Sequence, residues 1–191
     1  MFTSLIDTIK MRTSIDETDL EAVKHSFEPV LVPKNMVLEE KGEVPRHLYF
    51  IVSGFLRLFH YNDKGDEITT HINCPPGFIT SYSSFINGIK SDEFVESITS
   101  CELLRITKAN LESLTERSEA IKDFSIAILQ ESNLYHEKRA RDLANLTAEH
   151  RYRKLRENYP DILHNVPIQY IASFLGMKPE SLSRIRRKMI N

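Results

Sequence analysis

Near the C-terminal end of the chain, Glu180, Ser183 and Arg184 stand at i, i+3 and i+4, a spacing that puts three side chains on one face of a helix. A guanidinium pairs with guanine O6 and N7, and a carboxylate accepts from cytosine N4, so the trio has the chemistry to read base edges in a DNA major groove. Lys178, Ser181, Arg187 and Lys188 flank it and suit the phosphates, where contacts set register but carry no sequence information. The plainer reading is an αα-hairpin whose cations are simply solvated.

Other chemistry is thinly represented. The seven histidines (25, 47, 60, 71, 136, 150 and 164) invite a metal, and His60 and His71 sit on adjacent predicted strands. No H-x-H, HExxH or Cys/His spacing accompanies them, so no metal site is expected. Thr80-Ser81-Tyr82-Ser83-Ser84 either lines a small-molecule pocket or is a turn whose hydroxyls bond their own backbone. Neither a nucleophile–base pair, a phosphate-binding glycine loop nor a dinucleotide fingerprint is present. Catalysis has no carrier, and no cofactor is expected.

The base-reading trio must be held by a helix, and the sequence supplies two. Ile168, Ile171, Ala172 and Leu175 recur at helical spacing, and Gly176 follows where a left-handed residue ends a helix. Pro179 then occupies a first helical position, and Leu182, Ile185 and Met189 form the inward face of the second helix. Helix, short glycine-containing turn, and a helix with a basic outer face is the helix-turn-helix arrangement.

Upstream the texture is different. Residues 3–28 read as one or two short helices, the second capped by Ser14 or Asp16. From Pro29 to about residue 107, short β-rich runs such as HLYFIVSG, FLRLFHY and EITTHI alternate with turns, and five of the six glycines fall there. Asn62-Asp63-Lys64-Gly65 is a hairpin loop. Such a pattern predicts a sandwich or roll. Lys108–Glu116 reads as a short helix and residues 118–145 as one long helix, with Ile121, Phe124, Ile128 and Tyr135 tracing an apolar stripe. That stripe either meets a partner helix or covers the roll of its own chain. Thr147 opens a further helix that ends before Tyr159-Pro160.

Charge separates the two ends. Residues 1–135 carry 13 Lys/Arg against 21 Asp/Glu, while residues 136–191 carry 12 against 6, within a net charge of −2. A basic end on an acidic body directs a polyanion to the C-terminal part. Two cysteines, Cys74 and Cys101, offer neither a disulfide framework nor a CxxC pair. Together with the absence of a signal-like N-terminus and of any long apolar run, they lead to the expectation of a cytoplasmic protein with no membrane span.

A β-roll, a long helix and a C-terminal helix-turn-helix, in that order, resemble the Crp/Fnr family of bacterial transcription regulators. The residues carrying the resemblance are HLYFIVSGFLRLF, EHRYRKL with YPDI, and VPIQYIASFLGMKPESLSRIRRKM, in which Glu180, Ser183 and Arg184 form an E-x-x-S-R motif of the Fnr type. The resemblance implies an α+β chain. A cyclic-nucleotide-binding-like jelly roll with flanking helices would occupy residues 1–117, a dimerisation helix 118–146, and a helix-turn-helix of winged-helix type, its wing truncated, 147–191. It further implies a homodimer on a palindromic DNA site with a TTGA-like core, RNA polymerase as a partner, and a small-molecule effector of unknown identity. Ile121, Phe124, Ile128 and Tyr135 would be the dimer contacts.

The family's cyclic AMP receptors hold ribose with a glutamate and phosphate with an Arg-Ser pair. Aligned here, those positions become Ser81 and Ser91-Asp92, which lack the bidentate cation that a phosphate needs. The effector pocket implied by the alignment comprises Phe78, Ile79, Thr80, Ser81, Tyr82, Ser91 and Asp92, and it should refuse cyclic AMP. No cysteine precedes Cys74, so the Fnr iron–sulfur centre is not expected either. The rival from another class is a β-roll small-molecule or metal binder whose C-terminal helices are structural.

Overall fold

The structure is a computed structural model that describes residues 1–190; Asn191, the last residue of the predicted C-terminal unit, lies outside them. Two helices, α1 (Phe2–Lys10) and α2 (Glu17–Ser26), open the chain. Of the two proposed caps for α2, Asp16 is used: its carboxylate accepts from the Asp19 N–H at 2.8 Å.

Eight strands follow: β1 (Glu28–Val32), β2 (Val37–Glu39), β3 (His47–Ser53), β4 (Leu56–Tyr61), β5 (Glu67–Asn73), β6 (Gly77–Ile79), β7 (Phe94–Ser97) and β8 (Cys101–Thr107). They form two four-stranded antiparallel sheets, ordered β1-β8-β3-β6 and β2-β7-β4-β5. The near-continuous apolar run in β3 has a direct cause. Tyr49 and Ile51 point between the sheets with Leu56, Leu58, Val95 and Leu103, while Phe50 points the other way with Leu104 and Ile106. A sheet covered on both faces needs no polar alternation. Its outer cover is made by α1, α2, a helix α4 (Lys108–Arg117) and the start of a 27-residue helix α5 (Glu119–Asn145), through Leu5, Ile9, Val23, Leu114, Ile121 and Phe124. Ser118 caps α5 by accepting from the Ile121 N–H.

Two short helices were not apparent in the sequence. Residues 82–87 form α3 (Tyr82–Asn87), closed by Gly88 in the left-handed region, and Pro160 starts α7 (Pro160–Asn165). Between α5 and α7 lies α6 (Ala148–Asn158), capped by Thr147 as the sequence suggested. The chain then forms α8 (Ile168–Phe174) and α9 (Pro179–Ile190). Gly176, at φ +65°, ends α8: its N–H reaches Ser173 O, and the Met177 N–H reaches Ala172 O. That double bond is the Schellman closure, for which a residue without Cβ is preferred.

The C-terminal helices share one core with the roll. Tyr152, Leu155, Ile162, Ile171, Phe174 and Leu182 pack with Phe55, Ile72 and Ile98 from the β section. Among the described residues no helix is long and apolar enough to cross a membrane.

Candidate nucleic-acid interface and effector cavity

On α9, Leu182 is fully buried, and Ile185 and Met189 pack against the same cluster. The helix is thereby rotated so that Glu180, Arg184, Arg187 and Lys188 are exposed, with Ser181 and Ser183 half-buried. Arg184 donates to Ser181 Oγ at 3.4 Å, and Lys188 lies 4.0 Å from Glu149. Lys178 precedes the helix with its side chain exposed, and its carbonyl accepts from the Ser181 and Leu182 N–H groups. The structure therefore leaves Glu180, Arg184, Arg187 and Lys188 exposed on α9, with Ser181 and Ser183 partly covered.

Several cations of the basic end work inside the chain instead. Arg151 donates to the carbonyls of Leu146, Leu175 and Gly176, tying α6 to the ends of α5 and α8. Arg139 donates to Phe174 O at 2.8 Å and lies over the Phe174 ring, and Lys154 pairs with Asp142. Arg151 and Arg139 thereby satisfy carbonyls at helix C-terminal ends, where positive charge is favoured. Nothing in the spacing of the arginines separates them from those left outside.

A second feature invisible to sequence reading is the seat of α8 on the roll. The Ser173 hydroxyl accepts from the Thr69 N–H at 2.8 Å and donates to Glu67 O at 3.0 Å, satisfying the free edge of β5. Beside it, Arg57 is 2% exposed, with Glu96 and Glu67 each 2.6 Å from its Nη2. Its guanidinium is stacked between Tyr170, at 3.6 Å, and Phe59, at 3.9 Å. Tyr170 belongs to α8 and Phe59 to β4, so one arginine joins the two parts of the chain.

The stripe on α5 is used within the chain. Ile121 and Phe124 are buried against the outer face of the roll, Ile128 packs on the same cluster, and Tyr135 packs on the C-terminal core. Each of the four thus has partners within the chain, the second of the two roles open to the stripe, and Ile128 and Tyr135 stay partly exposed. The face left open carries Lys122, Ile126, Leu129, Asn133, His136, Ala140 and Leu143, which alternate by four and three residues, the spacing of a coiled-coil seam.

A cavity of about 770 Å³ lies between the roll and α5. Of the pocket residues inferred from the alignment, Phe78, Ile79, Thr80 and Tyr82 line it. The other three do not. Ser81 is buried behind Thr80, Ser91 spends its hydroxyl on the Glu93 backbone, and the Asp92 side chain is 94% exposed, 3.9 Å from Lys41. Of two nearby buried glutamates, Glu93 lines the cavity and Glu39 does not. Glu39 accepts from the Thr80 hydroxyl at 2.7 Å and from the Ser81 N–H at 2.9 Å; burial raises its pKa even so. Glu93 faces the cavity, shares the Thr70 hydroxyl proton (3.4 Å) with Leu58 O (3.2 Å), and is also pushed up by burial.

His60 and His71 are not opposite one another. In the β4–β5 ladder His60 pairs with Ile68, and His71 with Leu58. His71 instead lies edge-to-face on His136, ring centres 4.5 Å apart, and burial holds its pKa down at about 3. Among the described residues no cluster of three or more His, Cys, Asp or Glu side chains is placed to hold a metal.

Two antiparallel sheets, helices before and after them, and a 27-residue helix leading to a C-terminal helical unit set the frame for comparison with known proteins. Residues 29–118 match the cyclic nucleotide-binding domain family. That domain therefore covers β1 through α4. No curated protein sequence matches the chain. Among solved structures, the c-di-GMP responsive global regulator CLP of Xanthomonas campestris superposes with a TM-score of 0.69 at 19% identity, over 91% of each chain. FixK2 from Bradyrhizobium japonicum gives a TM-score of 0.72 at 14% identity, over 85% of this chain and 84% of its own. A protein of Eubacterium rectale described as a transcriptional regulator of the crp/fnr family gives 0.68 at 16% identity, over 91% and 83%. These structures share the fold of this chain over most of its length.

Proposed function

We propose that this chain is a dimeric, sequence-specific DNA-binding transcription regulator of the Crp/Fnr type, acting in the cytoplasm with RNA polymerase. The observation that carries the reading is α9. Its apolar residues are buried in the C-terminal core while Glu180, Arg184, Arg187 and Lys188 share the exposed side. In this reading α8 and α9 are a helix-turn-helix, and the N-terminal part of α9 enters the major groove. Arg184 and Glu180 read a G·C-containing half-site with Ser183 beside them; Lys178, Ser181, Arg187 and Lys188 meet phosphates.

Dimerisation is assigned to the open seam on α5, in which Ile126 and Leu129 are 44% and 42% exposed. A two-fold pair of such helices sets two readers on half-sites about 10 bp apart. The roll serves as the effector module, and its ligand is not a cyclic nucleotide, since Glu93 faces the cavity and the one arginine lining it among the described residues, Arg12, is paired with Glu131. Selection of bound sequences from a random DNA pool with the full chain tests the proposal. Enrichment of a palindrome with G·C-containing half-sites is expected, and a pool that emerges without enrichment overturns it.

A further inference from the structure

The cavity between the roll and α5 is walled mainly by hydrocarbon, with Thr70, His71, Thr80, Glu93 and His136 among the polar side chains that face it. Leu58, Ile79, Phe78, Phe124, Ile128 and Leu129 supply hydrocarbon surface around it. Its volume of about 770 Å³ falls within the roughly 300–1,000 Å³ typical of small-molecule sites.

The charge inventory of this space is short. Arg12 and Glu131 both face it, but they hold each other in a two-pronged pair at 2.9 and 2.8 Å, with a further Arg12 nitrogen donating to Thr8 O. His71, His136, Cys74 and Tyr135 are each shifted by burial towards their neutral forms. The Ser81 N–H and the Thr80 hydroxyl, donors at the start of α3, are already taken by Glu39. That leaves the neutral His71 ring, whose Nδ1 has no partner among the described residues, and Glu93, one oxygen of which shares the Thr70 proton with Leu58 O while the other has no hydrogen-bond partner among the described residues. An anion placed here would meet one unpaired carboxylate at the wall, a second behind Thr80, and no free cation.

We propose that this cavity binds an apolar molecule whose polar head donates hydrogen bonds and carries no negative charge, with Glu93 and the Thr70 hydroxyl as its acceptors. An amine and an alcohol share that donor chemistry; the amine adds an ion pair with Glu93. The ligand would touch β4 and β5 on one side and α5 on the other. The same cavity is walled at its far end by Tyr159, Ile162 and Phe174, so occupancy also reaches the C-terminal helices. This inference rests on the reading of the roll as an effector module, and it is tested independently of DNA.

Calorimetry on the full chain with 1-octylamine, 1-octanol, octanoate and cyclic AMP separates the possibilities. The amine and the alcohol should bind, octanoate should bind at least tenfold more weakly than the alcohol, and cyclic AMP should give no heat. Glu93→Gln should remove the advantage of the amine over the alcohol and bring octanoate towards the alcohol, with the circular dichroism unchanged. Octanoate or cyclic AMP binding as tightly as octanol would overturn the proposal. So would silence from all four ligands, the result expected if a second copy of the chain fills the space. The wild-type ranking of head groups decides the matter even if the variant does not fold. A gel shift on the same preparation distinguishes the two failures: DNA binding without ligand binding refutes this inference alone, and ligand binding without DNA binding refutes the regulator reading alone.

Discussion

Arg57 offers a sharp test of how the C-terminal helices are held on the roll. Its side chain is 2% exposed and is contacted by Glu96, itself 14% exposed, and by Glu67, 38% exposed. Arg57→Met keeps much of the hydrocarbon but strands the Glu96 carboxylate. Removing one partner of a buried ion pair costs about 3–5 kcal/mol, because the other charge stays desolvated. The Glu67 contact is half in solvent and adds little. Loss of stacking on Phe59 and Tyr170 adds roughly 0.5–2 kcal/mol. Together these come to at least about 3.5 kcal/mol, which in a chain of this size lowers Tm by at least roughly 7 °C.

The same reasoning makes the cost removable. Glu96→Gln, added to Arg57→Met, neutralises the stranded carboxylate and should recover at least half of the lost stability in a urea titration. Hydrogen exchange locates the damage. The Thr69 amide is bonded to Ser173 on α8, so its exchange should accelerate in Arg57→Met by more than that of Leu58 or Leu103 in the sandwich. If Glu96→Gln restores nothing, the unpaired carboxylate is not the cause. If the Thr69 amide stays as protected as those of its neighbours, Arg57 does not hold α8 in place.

The remaining predictions concern assembly, acid response and DNA. Leu129→Asp should give monomers by light scattering with the fold intact, whereas Phe124→Asp should disrupt the fold itself, because Phe124 is buried against the roll. His71 has a folded pKa of about 3 against an ordinary 6.5. Its contribution to stability is present above pH 6.5 and is lost as pH falls towards 3, at up to about 1.4 kcal/mol per pH unit; in His71→Asn that part of the urea-midpoint profile should flatten. Arg184→Ala should cost about 1–3 kcal/mol on the cognate DNA and flatten preference at one base pair, while Lys188→Ala should weaken all sequences alike and lower the salt slope by about one. A competition assay that finds base preference unchanged in Arg184→Ala would move the reading face elsewhere.

The parts of this molecule set by local periodicity are legible in its sequence. The Pro179 helix start, the Gly176 stop, the Asp16 and Thr147 caps and the hairpin at Asn62–Gly65 all follow from short-range backbone chemistry. What sequence alone could not settle depends on contacts between distant residues. Glu39 reads as one of three consecutive charged residues, yet it reaches Ser81 across the roll. Arg57 reads as a polar residue in an alternating strand, and only the arrival of Tyr170 turns it into a buried junction. On α5 the more apolar stripe packs within its own chain, Ile121, Phe124 and Ile128 on the roll and Tyr135 on the C-terminal core.

That choice of faces bears on how firmly two copies can associate. The open seam holds Ile126, Leu129 and Leu143 among Lys122, Asn133, His136 and Ala140. Only three of its seven positions are large and apolar, so the buried area along the helix is modest for a coiled coil. A polar Asn in such a seam costs stability but fixes register and favours one alignment of the helices. Ala140 lets the backbones approach where a larger residue would hold them apart. His136 lies on this seam and also against His71, and Leu129 belongs both to the seam and to the wall of the cavity. A side chain shared between two sites cannot move for one without moving for the other. Ligand that orders Leu129 should therefore tighten the dimer, and dimerisation should tighten ligand binding by the same factor, since the coupling free energy is reciprocal.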